Sequence, residues 1–161
     1  MSQVNYPEPR TLQWVPMSRG AYPEWSIEAG IDTGKKLYVA RATHQSGLVP
    51  GKLHVGHSDV YIAFDGKEVN KSEYEVLIGP TASLSWIESS HGQIAPHAVV
   101  GGKDPNGETY YIGRVIMNGT ITVGKVHPSH NACYVPYGGE EHKHTSYEIL
   151  VRNLLGRALN V

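Results

Sequence analysis

Two stretches of the 161-residue chain decide the fold: LYVARATHQSGLVPGKLH at residues 37–54 and YYIGRVIMNGTITVGKVH at residues 110–127. They align without a gap at a constant offset of 73 residues, and the alignment extends over 37–77 and 110–150. Twelve positions are identical, whereas average composition would give about two or three by chance. The chain therefore contains an internal repeat, and the repeat governs any prediction of its fold.

The repeat extends upstream at an offset of 72 residues, where further residue types recur: Trp14, Ser18, Gly20, Gly30 and Asp32 reappear as Trp86, Ser90, Gly92, Gly102 and Asp104. One extra residue of the second copy is placed at Asn106. Repeat one then spans 14–77 and repeat two 86–150, with Ile78–Ser85 between them and flanks at 1–13 and 151–161. A repeat this small buries too little apolar surface alone. We therefore predict a single domain over 1–161, with the repeats packed about a pseudo-two-fold axis.

Each repeat has the pattern of short strands joined by tight turns. Asp65-Gly66 and Asn118-Gly119 favour the type I′ turn of a β-hairpin, and no stretch has a helical period over three turns. The strands predicted from alternation and β-forming residues are Lys36–Thr43, Asp59–Phe64, Tyr74–Ile78, Thr109–Ile116 and Tyr147–Val151. The fold class predicted is all-β, with short antiparallel strands, and a short helix is predicted only for the tail, Arg152–Leu159.

Charge and composition exclude several classes of partner. The net charge is −1 and no basic stripe is present, so we expect neither nucleic acid nor an anionic membrane as partner. No apolar run approaches the length of a membrane span, and the start MSQVNYPEPR lacks the apolar segment of a signal peptide. With Cys133 as the one cysteine, a reducing compartment fits. We expect a cytoplasmic protein, with vesicle association or unconventional release as alternatives.

The sequence gives little support for catalysis. It has no GxSxG, HExxH, P-loop or dinucleotide-binding motif. Cys133 lies in a predicted strand, and the aligned residue of the first copy is the apolar Val60. Both observations favour a packed thiol over a nucleophile. We therefore expect no enzyme activity and no cofactor.

Asp32 and Lys52 form a candidate binding pair. Asp32 lies in a glycine-flanked turn, Lys52 follows the Pro50-Gly51 bend, and antiparallel pairing of the strands between them would bring the two close. The pair recurs as Asp104 and Lys125. An aspartate accepts hydrogen bonds from vicinal hydroxyls while a lysine donates to their oxygens, so the pair suits a neutral polyol. An exposed ion pair is the alternative, and spacing alone favours it.

The histidines raise the question of a metal. His54 and His57 recur as His127 and His130. Residues i and i+3 of a strand point to opposite faces, so a loop would have to gather each pair around one ion. No cysteine pattern supports zinc. We therefore expect surface or turn histidines and no metal, with a metal-dependent enzyme or sensor as the alternative that metal analysis would test.

The repeated strings together resemble the DM-nine repeat. The first copy carries the resemblance in Ala29–Asp32, Leu37–Ala42, Pro50–Lys52, Gly66–Glu68 and Tyr74–Leu77, and the second in Tyr111–Val115, Gly124–His127, Gly139–His142 and Tyr147–Leu150. Each string is weak alone, but their occurrence twice in the same order is specific. The resemblance covers most of the chain outside the N-terminal flank.

The resemblance implies a function. Two-copy members include bivalve lectins that recognise mannose in pattern recognition, often as homodimers, while insect members respond to pathogens and associate with vesicles. A related module precedes the pore-forming part of natterin-like toxins, a part we do not expect here. The mannose-contacting Asp and Lys of the family fall on Asp32 and Lys52, and on Asp104 and Lys125 in repeat two. We expect a mannose-specific lectin, with a vesicle-associated interaction protein whose sugar site is vestigial as the alternative.

Overall fold

The computed structural model describes residues 2–153 of the chain. Nine strands precede or belong to repeat one: β1 Gln3–Val4, β2 Gln13–Ser18, β3 Tyr22–Pro23, β4 Glu28–Asp32, β5 Lys35–His44, β6 Gly47–His54, β7 Val60–Phe64, β8 Lys67–Lys71 and β9 Glu73–Ile78. Seven belong to repeat two: β10 Leu84–Ser90, β11 Val100–Lys103, β12 Thr109–Met117, β13 Thr120–His127, β14 Ala132–Tyr137, β15 Glu140–His144 and β16 Ser146–Arg152. The helical segments within the described range are two 3-10 turns, Thr81–Ser83 and Pro128–His130. The predicted all-β fold is confirmed.

The predicted hairpin turns are present. Asp65 and Gly66, between β7 and β8, have φ of 53° and 83°. Asn118 and Gly119, between β12 and β13, have φ of 51° and 77°. Positive φ at both central residues is what a type I′ turn requires, and its twist matches that of the flanking strands.

Six strands, three from each repeat, close into a ring. β4, β5 and β6 are paired in repeat one, as are β11, β12 and β13 in repeat two. The two sets join where Leu48 of β6 pairs with Lys103 of β11, and where Ile121 of β13 pairs with Ile31 of β4. These junctions use equivalent positions of the two copies. The repeats thus pack about a pseudo-two-fold axis, as predicted.

The apolar core at the centre of the ring is shared by the two repeats. Its buried side chains include three equivalent pairs: Ile27 with Val99, Val39 with Ile112 and Leu77 with Leu150. Burial of aliphatic surface is the main favourable contribution to folding. Because each repeat supplies only half of this cluster, neither can complete the core alone.

An arginine in each repeat ties the outer strands to the other copy. The Arg41 guanidinium pairs with Glu75 at 2.7 Å and stacks on Trp14 at 4.0 Å from the ring centroid. Its Nη1 donates across the repeat boundary to the carbonyl of Gly101 at 3.2 Å. The same contacts recur in the second copy, in Arg114, Glu148, Trp86 and Ala29.

The structure also locates the cysteine and the two flanks of the chain within the described residues. The Cys133 thiol is fully buried, and burial raises its pKa, as a packed thiol requires. Strand β1 of the N-terminal flank pairs in parallel with β3. Of the helix predicted over Arg152–Leu159, Arg152 ends β16 and Asn153 is in no element, while the remainder lies outside the described residues. Neither 3-10 turn is long and apolar enough to cross a membrane.

The two junctions of the ring require glycine. A Cβ at Gly30 would lie 1.9 Å from the carbonyl oxygen of Ile121, and a Cβ at Gly102 would lie 1.9 Å from that of Leu48. The obstructing atoms are backbone oxygens of the neighbouring strand, so a rotamer change cannot relieve the clash. These glycines set how closely the strands of the two repeats approach.

Alanine at either junction should destabilise the protein. We expect Gly30→Ala or Gly102→Ala to lower the free energy of unfolding by about 1–3 kcal/mol, the usual cost of overpacking a close contact. Thermal and urea denaturation measure the change, with Thr43→Ala on the exposed face of β5 as control. Unchanged stability of both glycine variants would contradict the close approach.

Candidate functional site

Two buried lysines mark equivalent sites at the boundary between the repeats. Lys52 on β6 and Lys125 on β13 are only 3% and 4% exposed. The Lys52 ammonium donates to the carbonyl of Pro136 at 2.6 Å and to the hydroxyl of Thr122 at 3.2 Å. The Lys125 ammonium donates to the carbonyl of Ala63 at 2.6 Å. Each lysine therefore leaves its own repeat and bonds to the other one.

Each ammonium also faces a carboxylate of its own repeat. Glu68 lies 3.7 Å and Glu141 lies 3.1 Å from the ammonium of its copy. The second carboxylate oxygen accepts a hydrogen bond from the other repeat, from the backbone N–H of Gly139 to Glu68 at 3.0 Å and of Gly66 to Glu141 at 2.9 Å. The hairpin tips of the two copies thus exchange contacts, and both repeats build each site.

The charge of each lysine depends on this surrounding. Burial lowers the pKa of the Lys52 ammonium, while the negative charges of Glu68 and Asp32 offset part of that effect. In repeat two, burial likewise lowers the pKa of Lys125, while the negative charges of Glu141 and Asp104 raise it. A buried cation is tolerated where carboxylates and carbonyls replace its hydration shell.

Aromatic rings line the lysines. The Lys52 ammonium lies 5.2 Å from the ring centroid of Tyr137 and 6.0 Å from that of Tyr61. Lys125 is within 6 Å of three centroids, those of Phe64, Tyr110 and Tyr134. Cation–π attraction at these distances adds to the hydrogen bonds, and the rings give each site apolar walls.

The histidines of repeat one stack beside the lysine. The rings of His54 and His57 are 3.9 Å apart between centroids and nearly parallel. His54 Nδ1–H donates to the carbonyl of Val55 at 3.0 Å, and its Nε2 lies 3.7 Å from the carboxylate of Asp32. His57 Nδ1 hydrogen-bonds to the Tyr61 hydroxyl at 2.8 Å. The turn after β6 is the loop that gathers the two rings.

Repeat two keeps the stack and adds a carboxylate. His127 and His130 have ring centroids 3.8 Å apart. His127 Nε2–H donates to Asp104 at 3.1 Å and to Glu108 at 2.9 Å. In the alignment of the copies, Glu108 takes the place of Lys35. The second site therefore carries one more negative charge and lacks one positive charge.

Burial also affects the other titratable groups. It lowers the pKa of His57 and of His130, and the neighbouring histidine of each stack lowers it further. Burial raises the pKa of the Asp104 carboxyl, but the backbone N–H groups of Glu108 and Asn106 and the bond from His127 outweigh it, leaving that pKa below its usual value. His57 and His130 are therefore harder to protonate than an exposed histidine.

The site residues predicted from the sequence fall into these two clusters. Asp32 and Lys52 interact electrostatically, but among the described residues no direct salt bridge joins them, because His54 contacts the carboxylate and Glu68 the ammonium. Glu68 recurs as Glu141 in the alignment of the copies, and this recurrence could have indicated its role at the site. Glu108 gave no such signal, because its position differs between the copies.

A cavity opens onto the second cluster. Its volume is about 510 Å³, and its walls include Phe64 and Gly66 of repeat one with Lys125, His130 and Glu141 of repeat two. Small-molecule sites of proteins are concave and combine apolar walls with a few fixed polar groups. The cluster has this composition.

Comparison with known proteins gives the family. The model of the DM9 repeat matches residues 3–71 and 32–144. The chain belongs to the DM9 repeat family. This confirms the resemblance to the DM-nine repeat and the tandem arrangement. Natterin-3 of Thalassophryne nattereri is 27% identical over 146 residues, which make up 88% of this chain and 37% of that protein. The chain therefore spans just over a third of that relative.

A solved structure shares the fold. The crystal structure of the nematode sperm cell motility protein MFP2B matches with a TM-score of 0.65, over 91% of this chain and 47% of that one. The sequence identity is 16%. The DM9 fold of this chain therefore recurs in a protein of distant sequence.

The lysine contacts predict a stability effect. We expect Lys52→Ala and Lys125→Ala each to lower the free energy of unfolding by about 1–3 kcal/mol, because a buried carbonyl of the other repeat loses its donor. Thermal denaturation measures the loss, and Lys67→Ala, an exposed lysine on β8, is the control. Melting temperatures equal to that of the wild type would contradict the cross-repeat bonds.

Proposed function

We propose that this DM9 repeat protein is a mannose-binding lectin with one sugar site in each repeat and without catalytic activity. The observation that carries the proposal is the duplicated cluster of carboxylate, ammonium, stacked imidazoles and tyrosine. Asp32, Lys52, His57 and Tyr61 represent it in repeat one. The family membership of the chain supports the same assignment.

The chemistry of the cluster suits a neutral sugar. The Asp32 carboxylate accepts hydrogen bonds from vicinal hydroxyls, and the imidazole of His57 and hydroxyl of Tyr61 offer both donor and acceptor capacity. Aromatic walls such as Tyr137 provide apolar surface for the C–H face of a pyranose. The hydrogen bond between His57 and Tyr61 holds these two side chains in place, which reduces the entropy lost on binding.

The lysine has a more restricted role than a surface cation would have. Two of the three N–H bonds of Lys52 are directed to Pro136 and Thr122, and Glu68 is 3.7 Å away. At most one donor is therefore offered to a sugar oxygen. The Lys52→Ala substitution would also remove the cross-repeat bond, so Asp32 provides the cleaner test.

The presence of two sites supports a role in recognising microbial glycans. Weak single-sugar sites gain avidity when several engage one glycan surface. Two sites in one chain, doubled again in a homodimer, would supply such multivalency. We propose pattern recognition in innate immunity as the biological use of this binding.

Calorimetric titration with mannose tests the proposal, with galactose as the ligand control. We expect Asp32→Asn and Asp104→Asn each to remove one site or weaken it at least about tenfold, because an amide keeps the shape but loses the charged acceptor. The double variant should release no heat. Glu73→Gln, an exposed carboxylate on β9, should bind as the wild type does.

Circular dichroism and melting temperature establish that each variant folds. A double variant that binds mannan as strongly as the wild type would overturn the site assignment. A folded wild type that binds no hexose at millimolar concentration would overturn the lectin function and direct the search to protein partners.

A further inference from the structure

Three potential metal ligands converge in repeat two. His127 Nε2 lies 3.1 Å from Asp104 Oδ2 and 2.9 Å from Glu108 Oε1. One ligand atom from each of these residues lies within 4.8 Å of the other two. The expectation of no metal rested on the spacing of the histidines and on the lack of a recognised cysteine or carboxylate motif. Glu108 adds a ligand that occurs in one copy only.

The spacing of these atoms is close to that around a zinc ion. Zinc binds nitrogen and oxygen ligands at about 2.0–2.2 Å in tetrahedral geometry, which separates neighbouring ligand atoms by roughly 3.3 Å. The His127 nitrogen is already within about half an ångström of that separation from both carboxylates. An ion can replace the Nε2 proton with a small outward movement of the three side chains.

Neighbouring groups hold the two carboxylates in orientation. Asp104 Oδ1 accepts from the backbone N–H of Asn106 at 2.9 Å and of Glu108 at 2.8 Å, which directs Oδ2 towards His127. Ser129 donates to Glu108 twice, from its backbone N–H at 2.8 Å and its hydroxyl at 2.6 Å. Such support of the ligands is typical of metal centres.

The local charge favours a dication. The carboxylates of Asp104 and Glu108 both lie against His127, while the salt bridge of Lys125 is with Glu141. Two carboxylates beside one imidazole place negative charge where the ion would bind. The cavity of about 510 Å³ reaches Asp104 and His127 and gives access to water as a fourth ligand. Charge, geometry and access thus agree.

Repeat one has the same framework without the third ligand. His54 lies 3.7 Å from Asp32, and Lys35 occupies the position of Glu108. A lysine is a cation at this position and repels a metal ion. The first repeat therefore serves as an internal comparison.

We propose that Asp104, Glu108 and His127 bind one divalent cation of the zinc type, with water in the fourth position. The ion fastens the turn between β11 and β12 to the end of β13, on the rim of the cavity at the second cluster. Asp104 belongs to both proposed sites, whereas Glu108 belongs only to the ion site, so Glu108→Gln tests ion binding separately from sugar binding.

Zinc titration of the untagged full chain, after chelator treatment and dialysis, tests the proposal. We expect one zinc per chain by calorimetry and elemental analysis, a melting temperature raised by zinc, and the intense visible absorption of tetrahedral cobalt when cobalt is used instead. Glu108→Gln should weaken zinc binding at least about tenfold and abolish the cobalt signal. Lys35→Gln should leave both unchanged.

His127→Gln is a second variant, for use if Glu108→Gln does not fold, and should also lose the zinc-dependent rise in melting temperature. Less than stoichiometric zinc at a tenfold excess of the ion would overturn the proposal. Zinc binding that is equally strong in the wild type and in a folded Glu108→Gln or His127→Gln variant would overturn it as well, because the ion would then lie elsewhere.

Discussion

The pairing of strand edges between the two repeats is the constraint on which the rest of the structure depends. Within a single repeat, β7 pairs with residues 51–53 of β6, but the start of β6 around Leu48 and the outer edge of β4 would lack a partner strand. Each edge is satisfied by the other copy, at Leu48 with Lys103 and at Ile31 with Ile121. Unpaired strand edges leave backbone groups unsatisfied and invite aggregation. The central core, the arginine contacts and both lysine sites exist only once these edges are joined.

Much of this arrangement could be predicted because the chain repeats itself. The constant offset identifies equivalent residues, and Asn118-Gly119 and Asp65-Gly66 locate hairpins, since those turns need residues that tolerate positive φ. What the offset cannot reveal is which copy a side chain contacts. Lys52 belongs to repeat one in sequence, yet its shortest hydrogen bond is to Pro136 of repeat two. Such exchange depends on packing in three dimensions, which local patterns do not encode.

Alignment of the copies also cannot identify site residues that differ between them. Tyr110 stands where repeat one has Leu37, and Thr122 stands where it has Val49, although both lie at or near the clusters. The two sites therefore share a framework of lysine, glutamate, aspartate and histidine but differ in their linings. Difference between the copies carries information about specialisation, whereas identity between them reflects mainly the common framework.

The exchange of contacts between hairpin tips has a consequence for the origin of the protein. Two separate single-repeat chains, related by a true two-fold axis, could make every one of these contacts, and each site would then be shared between two subunits. Joining the copies through residues 79–83 turns such an intersubunit surface into the interior of one polypeptide. Assembly of the sites then no longer depends on protein concentration. The sequence of each repeat can also diverge while the two repeats remain joined in one chain.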